Sequence, residues 1–154
     1  MSTPIARPNL LFVMSDDHAA QAISAYGSAV NQTPNIDQIA QQGARLDRVF
    51  CTNSSCTPSR ATILTGTYRH VNGACSIYSE LDYRVPPYSQ VLRAAGYQTA
   101  IFGKWHLGVS PQARPRGFDD WRIFPGQGAY VGPSCTVRTA RVLSRAMPPT
   151  SSPT

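Results

Sequence analysis

Three short groups of residues have the types and spacing to do chemistry together. Asp16 and Asp17 stand side by side, Cys56 leads into Thr57, Pro58, Ser59 and Arg60, and Lys104 lies two positions before His106. Adjacent carboxylates repel one another, and a hard divalent cation relieves that repulsion. Arg60 offers an anion a planar fork of donors, and Lys104 adds a point charge. His106 can transfer a proton near neutral pH. Cys56 stands where Thr57 and Pro58 open a helix, so free N–H groups and the helix dipole favour negative charge at that end. Together these types describe an anion-binding, metal-assisted hydrolase. Each group also has a plainer reading. The two aspartates suit the cap of the next helix, Cys56 a buried core position, Lys104 a solvated surface and His106 a hydrogen-bonded rim.

All three groups follow strand-like runs. Residues 9–15 (NLLFVMS) form a nearly continuous apolar run, which predicts a buried strand of a parallel or mixed sheet. Residues 44–51 read as a second strand, and residues 97–103 (YQTAIFG) as a third. Period two would then put His106 on the same side as Lys104. Between the strands, residues 34–42 read as a helix with Thr33 before it, Pro34 at its first position and Gly43 as its stop. A second helix opens at Cys56 or Thr57, holds Pro58 in its first turn, and stops at Gly66. Residues 86–95 form a third, with Tyr88, Val91 and Leu92 inward and Gly96 as its stop. Residues 68–83 cross the surface, and Phe118, Trp121, Ile123 and Phe124 form a packing cluster. In an α/β sheet, ligands gather beyond the carboxyl ends of strands, so the three groups would meet at one edge.

Composition narrows the partners. The 154 residues fit one domain and are 42% hydrophobic, too apolar for a disordered chain. No stretch approaches the about 20 apolar residues of a membrane helix. Lys and Arg number 14 against 8 Asp and Glu, a charge of +6. Past Asp120 there is no acidic residue, while Arg122, Arg138, Arg141 and Arg145 remain, so much of the surplus is C-terminal. No basic face is interleaved with aromatic readers, which argues against nucleic acid as a partner. Cys51, Cys56, Cys75 and Cys135 have no CxxC spacing, and sequence leaves their pairing open.

The run Cys56-Thr57-Pro58-Ser59-Arg60, continuing to Leu64-Thr65-Gly66, resembles the signature of type I sulfatases, formylglycine-dependent members of the alkaline-phosphatase-like superfamily. Gly103-Lys104-Trp105-His106-Leu107-Gly108 resembles their second signature, and Asp16-Asp17 after an apolar strand their N-terminal metal pair. Residues 34–44 and Gly126-Gln127-Gly128 are similar to bacterial members, so the resemblance covers residues 8–132. It implies an α/β fold, the N-terminal part of an alkaline-phosphatase-like mixed-sheet sandwich. It implies that a maturation enzyme reads Thr57 to Arg60 and oxidises Cys56 to formylglycine. The hydrated aldehyde then attacks the sulfur of a sulfate ester, the alcohol leaves, and the sulfated diol expels sulfate. By the same resemblance Asp16 and Asp17, with Cys56, are ligands of Ca²⁺, and Arg60 holds the hydrated aldehyde. Lys104 binds sulfate, and His106 takes the proton as the hemiacetal collapses. The implied substrate is a small sulfate ester or a sulfated carbohydrate.

The pattern also departs from that family. Its members run to several hundred residues, and their further metal ligands, second sulfate-binding lysine and leaving-group histidine have no match here. The expected organisation is an N-terminal arm at 1–8, a partial sulfatase domain at 9–132, and a divergent, disordered tail at 133–154, with a short helix near 137–146. A frameshifted or truncated reading frame accounts for such a tail. The N-terminus as written carries no secretory signal, which points to the cytoplasm although many members of the family are exported. Two rival readings remain, a phosphoester or phosphonate hydrolase of the same superfamily and a non-catalytic remnant.

Overall fold

The computed structural model describes residues 7–129 and 131–138. The expected arm at 1–8 lies almost wholly outside them, as does most of the expected tail. The chain divides into two compact units, Met1–Phe50 and Cys51–Thr154.

In the first unit Pro34, with its fixed φ and missing N–H, opens helix α1 (Pro34–Gln42) at no cost in hydrogen bonds. Gly43 follows its last turn, as the sequence predicts. Asp37 in the first turn organises the residues before the helix. Its carboxylate accepts from Ser24 Oγ at 2.5 Å, Ala25 N at 2.7 Å and Thr33 Oγ1 at 3.1 Å. These hydrogen bonds, led by that of Ser24, outweigh desolvation and hold the carboxyl below its usual value. Two 3-10 turns, Ala20–Ala22 and Ser24–Tyr26, complete the regular structure described in this unit.

The first two expected strands are not formed. Residues 9–15 carry no strand, and Leu11 is 90% and Val13 80% exposed. Residues 44–51 are irregular, with Phe50 89% exposed. An apolar run has strand character only against a paired strand, and neither run pairs with one among the described residues.

The second unit holds helices α2 (Cys56–Thr65), α3 (Arg69–Asn72) and α4 (Tyr88–Ala94). Its sheet has strands β1 (Ala100–Lys104), β2 (Asp120–Phe124) and β3 (Thr136–Arg138). β1 pairs in parallel with β2, from Ala100 opposite Asp120 to Lys104 opposite Phe124, and β3 pairs antiparallel to β2. The sheet is therefore mixed, as expected, and β1 realises the third predicted strand. β3 replaces the start of the helix expected near 137–146, whose remainder lies outside the described residues. The packing cluster is also present, since Phe118, Trp121 and Ile123 are buried with Ala61, Leu64 and Leu107.

Helix α4 forms where predicted but turns a different face inward. Tyr88 and Val91 are exposed, and Ser89 is fully buried. The cause is a close backbone approach. A Cβ on Gly117 would lie 2.5 Å from the Gln90 nitrogen, and Ser89 Oγ donates to the Arg116 carbonyl at 3.1 Å. Only a small side chain fits that contact. Asp119 then braces the strand entry. Burial pushes its carboxyl up, but hydrogen bonds from Thr99 and the Arg93 guanidinium outweigh this and leave it below its usual value.

Two core tryptophans differ in one respect that stability measurements can read. Trp105 Nε1 donates to the Ala113 carbonyl at 2.7 Å, whereas the buried Trp121 Nε1 has no hydrogen-bond partner among the described residues. Both side chains are 3% exposed, so replacing either with Phe removes a comparable buried volume. Trp105→Phe also strands a buried carbonyl. It is expected to cost about 1–3 kcal/mol more than Trp121→Phe in urea unfolding. Equal losses would contradict the assignment.

Candidate active site in the second unit

Helix α2 presents two faces. Thr57, Pro58, Ala61 and Leu64 point into the core. Cys56 and Arg60, four residues apart, stack on another face and are half-buried. Cys56 is the first helical residue, as the sequence predicts. The preceding Ser55 is extended, and its carbonyl accepts from Ser59 N at 3.0 Å. Gly66 ends the helix in the left-handed conformation at φ 67°.

The segment after β1 meets this helix start. Cys56 Sγ lies 3.1 Å from His106 Nδ1, with the donor set by the histidine tautomer. Thr57 Oγ1 reaches the His106 carbonyl at 2.7 Å and the Ile77 carbonyl at 3.1 Å, and its one proton serves one of them at a time. Arg60 Nη1 donates to the Lys104 carbonyl at 2.7 Å. Contacts from Cys56, Thr57 and Arg60 thus hold the helix start against residues 104–106. His106 is 7% exposed, while Lys104 is half-buried.

His106 does not share a strand face with Lys104, contrary to the period-two expectation. β1 ends at Lys104, and His106 sits at φ 51°, in the left-handed region. The local geometry of the turn, not strand alternation, aims its ring at Cys56. A non-glycine residue there costs free energy and persists only where its surroundings fix it. Trp105 N to the Phe124 carbonyl at 3.2 Å and Leu81 N to the Leu107 carbonyl at 3.2 Å fix it from both sides.

Asp16 and Asp17 lie in the first unit, exposed, with Asp17 at φ 52°. Aspartate tolerates that conformation better than most residues. Their oxygens suit a hard cation in kind. Two carboxylates fall short in number, since Ca²⁺ takes about 6–8 oxygen ligands. Among the described residues no group of three or more His, Cys, Asp or Glu is arranged to hold a metal ion. The four cysteines are free thiols.

Thr57, named in the sequence as part of the signature, is also a structural tie between helix and loop. The structure shows contributors that spacing did not single out, since Glu80 and Ser110 bond to each other in the same unit. Glu80 and Ser110 are separated by 30 residues, and no periodicity links them. Gly108 was the one available signal, because a glycine in a functional loop often marks a close approach.

The sulfatase family model matches residues 8–145, past residue 132, where the quoted motifs end. The N-acetylglucosamine-6-O-sulfatase of Bacteroides thetaiotaomicron is 46% identical over 130 residues, covering 82% of this chain and 23% of that protein. A solved structure of BT4656 with its substrate D-glucosamine-2-N,6-O-disulfate superposes with a TM-score of 0.78 at 43% identity, covering 87% of this chain and 28% of that one. The phosphonate monoester hydrolase of Agrobacterium radiobacter gives 0.63 at 30% identity, covering 77% and 26%. The chain thus spans about a quarter of the length of the relatives it matches. Among the described residues, no helix is long and apolar enough to cross a membrane. A mixed sheet, a cysteine opening a helix against a histidine, and a family match over most of the sequence lead to one conclusion: the chain belongs to the type I sulfatases of the alkaline-phosphatase-like superfamily.

Proposed function

We propose that the second unit carries the nucleophile half of a sulfate-ester hydrolase site, with Cys56 as the precursor of formylglycine. The observation that supports this most directly is the 3.1 Å approach of His106 Nδ1 to Cys56 Sγ at the start of α2. Formylglycine would supply a hydrated aldehyde, whose second hydroxyl lets the sulfated enzyme release sulfate. His106 holds or accepts a proton at Nδ1 beside residue 56. The free N–H groups at the start of α2 favour negative charge there. Arg60 and Lys104 contribute positive charge for a sulfuryl group and its hydrated partner. Asp16 and Asp17 are proposed as calcium ligands, a role that the family resemblance implies. Two carboxylates alone do not complete a calcium site.

The likeness to N-acetylglucosamine-6-O-sulfatase and to BT4656 supports a sulfated amino sugar as the substrate class. The likeness to phosphonate monoester hydrolase supports a second reading, a phosphonate or phosphate ester. Sulfate and phosphate esters are close in shape, so the two are separated by rates. The chain would be co-expressed with a formylglycine-generating maturation enzyme, and residue 56 identified by peptide mass. Hydrolysis of an aryl sulfate, an aryl phosphonate and an aryl phosphate would then be compared with Cys56→Ala. Formylglycine with sulfate-ester turnover that Cys56→Ala abolishes is the expected result. Preferred phosphonate turnover would favour the second reading. Formylglycine without turnover would favour a non-catalytic remnant.

A further inference from the structure

We propose that Glu80 is a positioning residue that holds the loop carrying His106 so that its imidazole meets residue 56. The functional consequence rests on the reading of Cys56 and His106 as the reaction centre. The geometry stands independently of it.

The loop leaves β1 and turns at two unusual backbone conformations, His106 at φ 51° and Gly108 at φ 110°. Such a turn needs to be fixed from outside. Glu80 and its neighbour do this from the segment before α4. Glu80 Oε1 accepts from Ser110 N at 3.1 Å, and Oε2 accepts from Ser110 Oγ at 2.8 Å. Leu81 N donates to the Leu107 carbonyl at 3.2 Å, one residue past His106. Ser110 Oγ in turn accepts from Ala113 N at 3.2 Å, which continues the tie into the following 3-10 turn. Hydrogen bonds from Ser110 Oγ and N, with a smaller one from Val109, outweigh desolvation and hold the Glu80 carboxyl below its usual value.

Gly108 gives the contact its specificity. A Cβ there would lie 2.6 Å from Glu80 Cγ and 2.5 Å from Ala113 Cβ. The Glu80 side chain therefore crosses the space a side chain at 108 would need. The glycine and the glutamate fit one another, and the histidine two residues earlier inherits its position from that fit.

The test compares Glu80→Ala, Glu80→Gln and Ser110→Ala in the full chain. In Glu80→Gln the amide oxygen still accepts from Ser110 N, and the amide nitrogen can donate to Ser110 Oγ. The sequence has three histidines, so their ring resonances can be assigned with His106→Asn as reference. At one fixed pH, Glu80→Ala and Ser110→Ala are expected to move the His106 resonances toward those of free histidine. Those of His18 and His70 should stay in place, and Glu80→Gln should restore the His106 position. Where the unsubstituted protein turns over a sulfate ester, Glu80→Ala should lower kcat roughly tenfold or more with KM within about twofold. An absence of turnover counts against the proposed function and leaves the resonance test standing. Unmoved His106 resonances in both loss variants, with only a lower melting temperature, would overturn the proposal. Should Glu80→Ala unfold, Ser110→Ala decides.

Discussion

Gly108→Ala is expected to destabilise the second unit by about 2–6 kcal/mol, combining overpacking with backbone strain of about 1–3 kcal/mol each. The new methyl would meet Ala113 Cβ at 2.5 Å, a contact that requires backbone to move. Gly103→Ala separates the two contributions. Gly103 has φ 109°, almost that of Gly108, but nothing lies within 4 Å of the place a Cβ would occupy there. Gly103→Ala should therefore show the strain alone. The difference between the two variants in urea unfolding should be about 1–3 kcal/mol. No difference would mean that the loop slides away from Glu80 at little cost.

His106→Asn should separate chemistry from folding. Asparagine tolerates the left-handed conformation, so the turn at φ 51° is kept. Losing the contact with Cys56 should cost about 1 kcal/mol of stability. In sulfate-ester turnover the same change removes the proton carrier, and rates should fall roughly 10²- to 10⁴-fold. His106→Ala would mix the two effects, because alanine also strains the turn. A variant that keeps full turnover would remove His106 from the proposed reaction centre. One that loses turnover through KM alone would reassign it to substrate binding.

The two signatures were legible because their chemistry is local. Pro34, Pro58 and the glycines at 43 and 66 mark helix starts and stops through their own backbone limits, and α1 and α2 obey them. β1 was readable as a β-rich run that leads into the Lys104 group. The failures have the opposite character. Residues 9–15 and 44–51 have the composition of strands, but strand formation depends on a partner that composition does not name. For α4 the inward face differs from the expected one because a close backbone approach at Gly117 favours Ser89 over Tyr88 and Val91. At the candidate site, Cys56, Arg60, Lys104 and His106 were each named from the sequence, and the structure brings them together. The left-handed turn that joins His106 to Cys56 was not evident in the sequence, since it arises from ties to Thr57, Leu81 and Phe124 that are far apart in sequence.

The burial of Thr57 and Pro58 has a consequence for the order of events in biosynthesis. Both side chains are fully enclosed once α2 docks. An enclosed side chain offers no surface to a second protein. Any enzyme that identifies Cys56 by the side chains of Thr57 and Pro58 must therefore act on a chain whose α2 has not yet packed. Conversion of Cys56 would then compete with folding on the clock of synthesis, and a chain that folds first would keep its thiol.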